Sequence, residues 1–159
     1  MKKRNYLTLL LALILFSMNS YAQDFSGLDM NSMKTAKDYN DAEVKVLECS
    51  NYLLATPIDV DKLSRGTIIN YVVKWMEGTP RQTFAVDDEV NALTRESNDR
   101  FMLYFVAMAK AVLDNPSKDL SEDEIHEIAT NHLIDYCLKP ENNLPPTKRM
   151  LKIDKKNKS

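Results

Sequence analysis

The sequence has few of the residues on which cofactor and metal sites depend. Its 159 residues include three glycines, two histidines and two cysteines. Three glycines are too few for a glycine-rich phosphate loop, and four His and Cys residues do not form any of the common zinc patterns. The GxSxG and SxxK motifs of serine hydrolases are absent. We therefore predict no cofactor, no metal and no catalytic residue, and we favour a role other than that of an enzyme.

The two histidines have the wrong spacing for a shared metal ion. His126 and His132 are six residues apart, whereas two zinc ligands on one helix are four apart. The pattern places His132 on an apolar helical face and predicts a hydrogen-bonded core residue there. His126 is predicted to lie at the surface.

The first 22 residues have the three parts of a secretory signal. A basic start at residues 2–4 precedes an apolar run over residues 6–16, and Ser20 and Ala22 supply small residues at the −3 and −1 positions. The apolar run is about half the roughly 20 residues that a membrane span needs, which disfavours a retained anchor. We predict cleavage after Ala22, export to the periplasm or beyond, and no membrane anchor in the mature chain.

Charge is divided unevenly along the chain. The formal net charge is −2, with 21 basic and 23 acidic residues, and removal of the three cations at residues 2–4 leaves 18 basic residues against 23 acidic. Six of those cations and one acid lie in residues 148–159, so residues 23–147 hold 12 basic against 22 acidic residues. We interpret the mature chain as an acidic body with a basic, solvated C-terminal tail. Nucleic-acid binding is not expected, because the body is acidic and the tail lacks interleaved aromatic residues.

Apolar residues recur at helical spacing through most of the mature chain. Long helices are predicted over 40–55, 61–77, 99–113 and 121–137. The second contains a β-branched stretch that would also suit a strand, but its apolar residues share one helical face. The third is apolar around nearly its whole circumference, so it is expected at the centre of the protein.

These patterns predict an all-α fold, a single-domain antiparallel bundle of four main helices plus one or two short ones. The short helices are expected over 88–96 and 147–154. In domain terms, residues 23–38 are expected to be a mobile lead-in, residues 39–147 the helical domain and residues 148–159 the basic tail.

Cys49 and Cys137 are an even pair in a chain predicted to be exported, and both lie on or beside apolar stripes. Oxidising compartments permit disulfides. A bond between them would close a long loop and stabilise the fold by about 4 to 5 kcal/mol in the chain-entropy model. The alternative is two separate buried thiols that act as small hydrophobic side chains.

The segment around the only tryptophan combines a helix end with a stiff, aromatic loop. Aromatic side chains near loops dominate many interfaces, so this corner is a candidate interaction surface. The alternative is that the two aromatic rings cap the core and hold the loop in place. The residues of this predicted corner are Trp75, Gly78, Thr79, Pro80, Thr83 and Phe84.

Three segments carry a resemblance to a family. They are YLLATPID at 52–59, KWMEGTP at 74–80 and DYCLKPENN at 135–143. Together they resemble an uncharacterised family of small, exported, all-helical proteins of Gram-negative bacteria. The resemblance implies export across the inner membrane and an all-α domain, and it brings no activity, ligand or residue role with it.

Two functional hypotheses follow. The first is an exported, non-catalytic helical protein that binds a protein or peptide partner in the cell envelope, through its acidic body and the corner at Trp75 and Phe84. The second is a small ligand carrier or enzyme with an apolar pocket beside the helix around residues 101–113. In that case the pocket would be lined by Met102, Tyr104, Phe105 and Met108. The oligomeric state is left open.

Overall fold

The computed structural model describes residues 24–95 and 97–159, so the predicted secretory signal lies outside the described residues. Every regular element in these ranges is helical. The α-helices are α1 (Ala36–Ala55), α2 (Lys62–Gly78), α3 (Asp88–Thr94), α4 (Asn98–Leu113), α5 (Glu122–Cys137) and α6 (Lys148–Asn157), with 3₁₀ turns at Met30–Ser32 and Pro140–Asn142. Four long helices and two short ones confirm the predicted all-α bundle.

Helix α4 lies at the centre of the bundle, as its apolar sequence predicts. It packs against α1, α2, α3 and α5, and nine of its sixteen residues are buried. A helix without a polar face must be covered on all sides. Although α4 is apolar, no helix in residues 24–95 or 97–159 is long and apolar enough to cross a membrane.

Local capping explains where the helices begin. Ser121 and Glu124 form a capping box at the start of α5. A second box, which the sequence interpretation missed, joins Thr35 to Asp38 and starts α1 four residues before the predicted position. Its side chains satisfy backbone N–H groups that the first turn would otherwise leave unpaired.

Residues 24–35, within the segment 23–38 that is predicted to be a mobile lead-in, pack on the bundle. Met33 is buried in the core. Phe25 packs against Tyr52 of α1, with 4.9 Å between their ring centroids. These contacts bury apolar side chains, a tertiary effect that the irregular local pattern of the segment does not show.

The C-terminal segment is a docked helix and does not stand apart as a solvated tail. Thr147 caps α6, which continues three residues beyond the predicted end and packs on α3 and α5. Met150 is fully buried. The basic residues therefore lie on the outer faces of a helix that belongs to the bundle.

Candidate functional site

Trp75, the residue at the centre of the predicted corner, lies inside the protein. Its side chain is completely buried, and its indole Nε1–H donates a hydrogen bond of 3.0 Å to the backbone oxygen of Tyr39. Phe84 is half-buried and packs on it with 6.0 Å between ring centroids. This agrees with the alternative in which the two rings cap the core, and it leaves the indole unable to contact a partner.

The other residues of the corner are fixed for structural reasons. Gly78 is needed where it stands, because a Cβ atom there would lie 2.1 Å from the Tyr39 ring. Thr79 is buried, whereas Pro80 and Thr83 are exposed. Arg81 holds the loop down, with Nη1 at 2.9 Å from Glu43 Oε2 and Nη2 donating to the Pro116 backbone oxygen at 2.8 Å.

Cys49 and Cys137 are both buried, and both thiols are free. The predicted disulfide is therefore corrected, and the structure has the alternative, two separate thiols that fill space in the core. Burial raises the pKa of Cys49 to about 12 and that of Cys137 to about 11. Because the thiolate is the reactive form, both groups are protected from oxidation and alkylation.

We expect neither cysteine to react with an alkylating reagent at pH 8 while the protein is folded, and both to react in guanidinium chloride without reductant. The native thiols are protonated and shielded, and unfolding removes both protections. Intact-mass measurement counts the added groups. Fewer than two additions to the unfolded, unreduced chain would show that a disulfide forms in solution.

An open pocket of about 360 Å³ lies where α3, α4, α5 and α6 meet. Its floor is formed by buried side chains of α3 and α4, and its rim carries four exposed acidic side chains. We call it the acidic pocket. It is lined by Asp87, Glu89, Val90, Leu93, Tyr104, Asp123, His126, Glu127, Thr130, Asn131, Ile153, Lys156 and Asn157.

Tyr104 and His126 form a hydrogen-bonded pair in this pocket. The Tyr104 Oη atom lies 2.7 Å from His126 Nδ1, and the two rings are stacked with centroids 6.0 Å apart. Burial raises the pKa of Tyr104 to about 12. The phenol is therefore protonated at neutral pH, so it serves as a hydrogen-bonding group and does not act as a base.

The second imidazole nitrogen of this pair has no hydrogen-bond partner among the described residues. His126 Nε2 is buried and has no hydrogen-bond partner among residues 24–95 and 97–159. The nearest acid recorded for it is Glu122, whose Oε1 lies 3.7 Å away, beyond hydrogen-bond length.

The charge at the pocket has one predominant sign. Asp87, Glu89, Asp123 and Glu127 line it, and Lys156 is the one cation among its described lining residues. Arg149, beside the rim, pairs with Glu89. A cleft lined by charges of one sign over an apolar floor concentrates the electric field and attracts ions of the opposite charge. The pocket thus favours a cationic group.

The four carboxylates are spread around the rim. Within the described ranges no three His, Cys, Asp or Glu side chains come close enough to hold a metal ion. A divalent cation needs several oxygen ligands converging at 2.0 to 2.6 Å. An ammonium or guanidinium group, which forms longer hydrogen bonds to separate acceptors, suits this arrangement better.

An apolar pocket was hypothesised beside residues 101–113, but the clefts that the structure shows there are partly lined by acidic residues. Met108 is buried in the core. Tyr104 reaches the acidic pocket and Met102 lines a separate surface cleft with Asp59 and Asp99, so both lie next to acidic residues.

Both histidines are partly buried, so the predicted contrast between a core His132 and a surface His126 is not observed. His132 is half-buried, and burial, together with the nearby Lys110, lowers its pKa. The side chain of His126, predicted at the surface, is only 16% exposed. Its partner Tyr104 is 22 residues away, so helical spacing alone gave no indication of the pair. The concentration of acidic residues at the starts of α3 and α5 was visible, but each group had a sufficient local explanation in the helix dipole.

Comparison of the chain with protein-family models, curated proteins and solved structures found no match. The family resemblance of the three segments therefore stays a prediction.

Proposed function

We propose that this protein is an exported, non-catalytic helical protein that binds a basic segment of a protein or peptide partner in the cell envelope. The observation that carries the proposal is the acidic pocket, in which four carboxylates surround the Tyr104–His126 pair. A lysine or arginine side chain of the partner enters this pocket. Of the two contact surfaces in the original hypothesis, the proposal keeps the acidic body and drops the corner at Trp75 and Phe84.

The geometry of the rim supports a partner with chain on both sides of the bound cation. The carboxylates are exposed, and the Glu89 side chain is 66% accessible to solvent. They can contact groups that remain outside the pocket, as the polar rim of an interface does. A small free amine would occupy the pocket but would leave most of the rim carboxylates without a binding partner.

The proposed export draws on the secretory pattern of residues 1–22. The buried thiols are compatible with it, because cysteines that are protonated and inaccessible persist in an oxidising compartment. We expect protein recovered from the periplasm to have an intact mass that corresponds to a chain beginning at Gln23. A mass that includes Met1 would contradict export by cleavage.

We expect the double variant Asp123→Asn/Glu127→Gln to bind a labelled tetralysine peptide about tenfold more weakly than the wild type, as measured by fluorescence anisotropy. Loss of two ionic contacts of about 0.7 kcal/mol each corresponds to this factor. Binding should also weaken with salt. A tetraglutamate peptide, which carries the opposite charge, serves as the negative control.

The matched control is Asp41→Asn/Glu141→Gln, which changes the net charge equally at two exposed acids that do not line the pocket. It should alter the affinity by less than twofold. Equal losses in the two double variants would show that tetralysine binds through overall charge, and the proposed role of the pocket would then be wrong.

A further inference from the structure

Helix α6 already supplies basic and apolar side chains to the acidic pocket. Lys156 is the cation in its lining, and Ile153 and Asn157 stand beside it. Arg149 reaches Glu89 on another part of the rim, with 2.7 Å between Nη2 and Oε1. The pocket that favours a cation therefore has a basic helix of the same chain along one side.

Few interactions hold α6 in place. Met150 is its only fully buried side chain. The Arg149–Glu89 ion pair is 46% and 66% exposed, and the Asn157 Nδ2 donor meets Asn131 Oδ1 at 3.0 Å on the surface. Exposed ion pairs contribute little, so α6 depends mainly on Met150 and the half-buried Ile153. Terminal helices with few buried contacts open at a lower free energy than the rest of a fold.

The sequence of α6 has the amphipathic pattern of helices that bind in grooves. Met150 is buried and Ile153, three residues on, is half-buried, while Lys148, Lys152 and Lys155 are exposed to solvent. Amphipathic helices that bind in apolar grooves use this spacing for their anchors. We call the groove between α3 and α5, with Glu89 and Asn131 at its edges, the α6 seat.

We propose that the partner of this protein is a basic amphipathic helix, which enters the α6 seat and the acidic pocket by displacing α6. This inference rests on the proposed function and names the partner's chemistry. Its support is that α6 shows one such helix seated there, with charges opposite to those of the rim. Because α6 occupies the seat, only the fraction of molecules with α6 released can bind, and the apparent affinity falls by that fraction.

The test uses the full mature chain and a labelled peptide with the sequence of residues 147–157, TKRMLKIDKKN. We expect Met150→Ala to tighten peptide binding at least tenfold relative to the wild type, because it removes the main buried anchor of α6. The matched control is Leu151→Ala, which truncates the neighbouring side chain, itself 48% exposed, and should leave the affinity within twofold. Arg149→Gln, a change at an exposed residue that leaves the core intact, should tighten binding two- to threefold.

Circular dichroism and Trp75 fluorescence establish that the bundle of each variant is folded. Equal affinity of the wild type, Met150→Ala and Arg149→Gln for the peptide would overturn the displacement of α6. If tetralysine still bound through Asp123 and Glu127 in that case, the proposed function would stand without this inference. If neither peptide bound any of these proteins, both would fall. Concentration-dependent dimerisation of Met150→Ala would assign the seat to α6 of a second copy and would also overturn the proposal.

Discussion

Replacement of Trp75 by alanine should lower the free energy of unfolding by about 3 to 5 kcal/mol. The side chain is completely buried, and its removal would leave a large cavity between α1, α2 and the loop that carries Phe84. It would also leave the Tyr39 backbone oxygen without the indole donor, now 3.0 Å away. Denaturation in urea should be followed by circular dichroism, because the variant lacks the only tryptophan.

Two further variants serve as comparisons for Trp75→Ala. Trp75→Phe keeps an aromatic ring but cannot donate to Tyr39, so it should have a smaller effect than alanine while still destabilising the fold by about 1 to 3 kcal/mol. Leu63→Ala, at a side chain that is 89% exposed, should change stability by less than about 0.5 kcal/mol. If Trp75→Ala were as stable as Leu63→Ala, the buried position of the indole would be wrong.

Arg65→Ala should destabilise the protein by about 2 to 4 kcal/mol, an effect comparable to that of Trp75. Arg65 is only 4% exposed. Its guanidinium donates to the Leu53 and Thr56 backbone oxygens, each at 3.2 Å, and to Thr56 Oγ1 at 2.7 Å. It satisfies carbonyl groups at the end of α1 and places a positive charge at the negative end of that helix dipole.

The matched control for Arg65 is Lys62→Ala, which removes the same charge at an exposed position on the same helix. Its effect should stay within about 0.5 kcal/mol. Arg65→Lys should have an intermediate effect on stability, because an ammonium group cannot reproduce the guanidinium fork that reaches the oxygens of both Leu53 and Thr56. Equal unfolding free energies for Arg65→Ala and Lys62→Ala, measured in urea, would contradict the structural role of the guanidinium.

The three hydrogen bonds of Arg65 belong to a larger polar junction. Tyr136 of α5 also donates to the Thr56 backbone oxygen, at 2.8 Å, and burial raises the pKa of this phenol to about 12. The C-terminal end of α1 thus accepts hydrogen bonds from side chains of both α2 and α5. This junction lies away from the acidic pocket, so variants in the pocket and at Arg65 should have independent effects on binding and on stability.

Apolar spacing was sufficient to predict the four long helices, and local residues explain where they start and stop. Pro57 and Gly78 mark the ends of α1 and α2, and the Ser121–Glu124 box marks the start of α5. The uniformly apolar sequence of α4 also predicted its central place. These predictions succeed because the interactions that start and stop a helix join residues at most four apart.

Predictions that depended on contacts between distant segments were less successful. Trp75 was offered as a contact residue, with core capping as the alternative, and its side chain is buried, bonded to the Tyr39 backbone oxygen and packed against Phe84. Cys49 and Cys137 were paired on the basis of their number and expected compartment, whereas the fold buries each as a free thiol. A sequence pattern gives the face on which a residue lies, but not which neighbour that face meets.

By itself, the sequence determined the all-α class, the order of the helices and the division into an acidic body and a basic end. Only the tertiary structure decided where those charges meet. It brings Asp87 of the α3 start, His126 of α5 and Lys156 of α6 around the Tyr104 side chain of α4. Helices form from local hydrogen bonds and local apolar spacing, whereas a pocket is created when separate helices bury their faces against one another. Its members therefore come from segments up to seventy residues apart, and no local pattern marks them as a group.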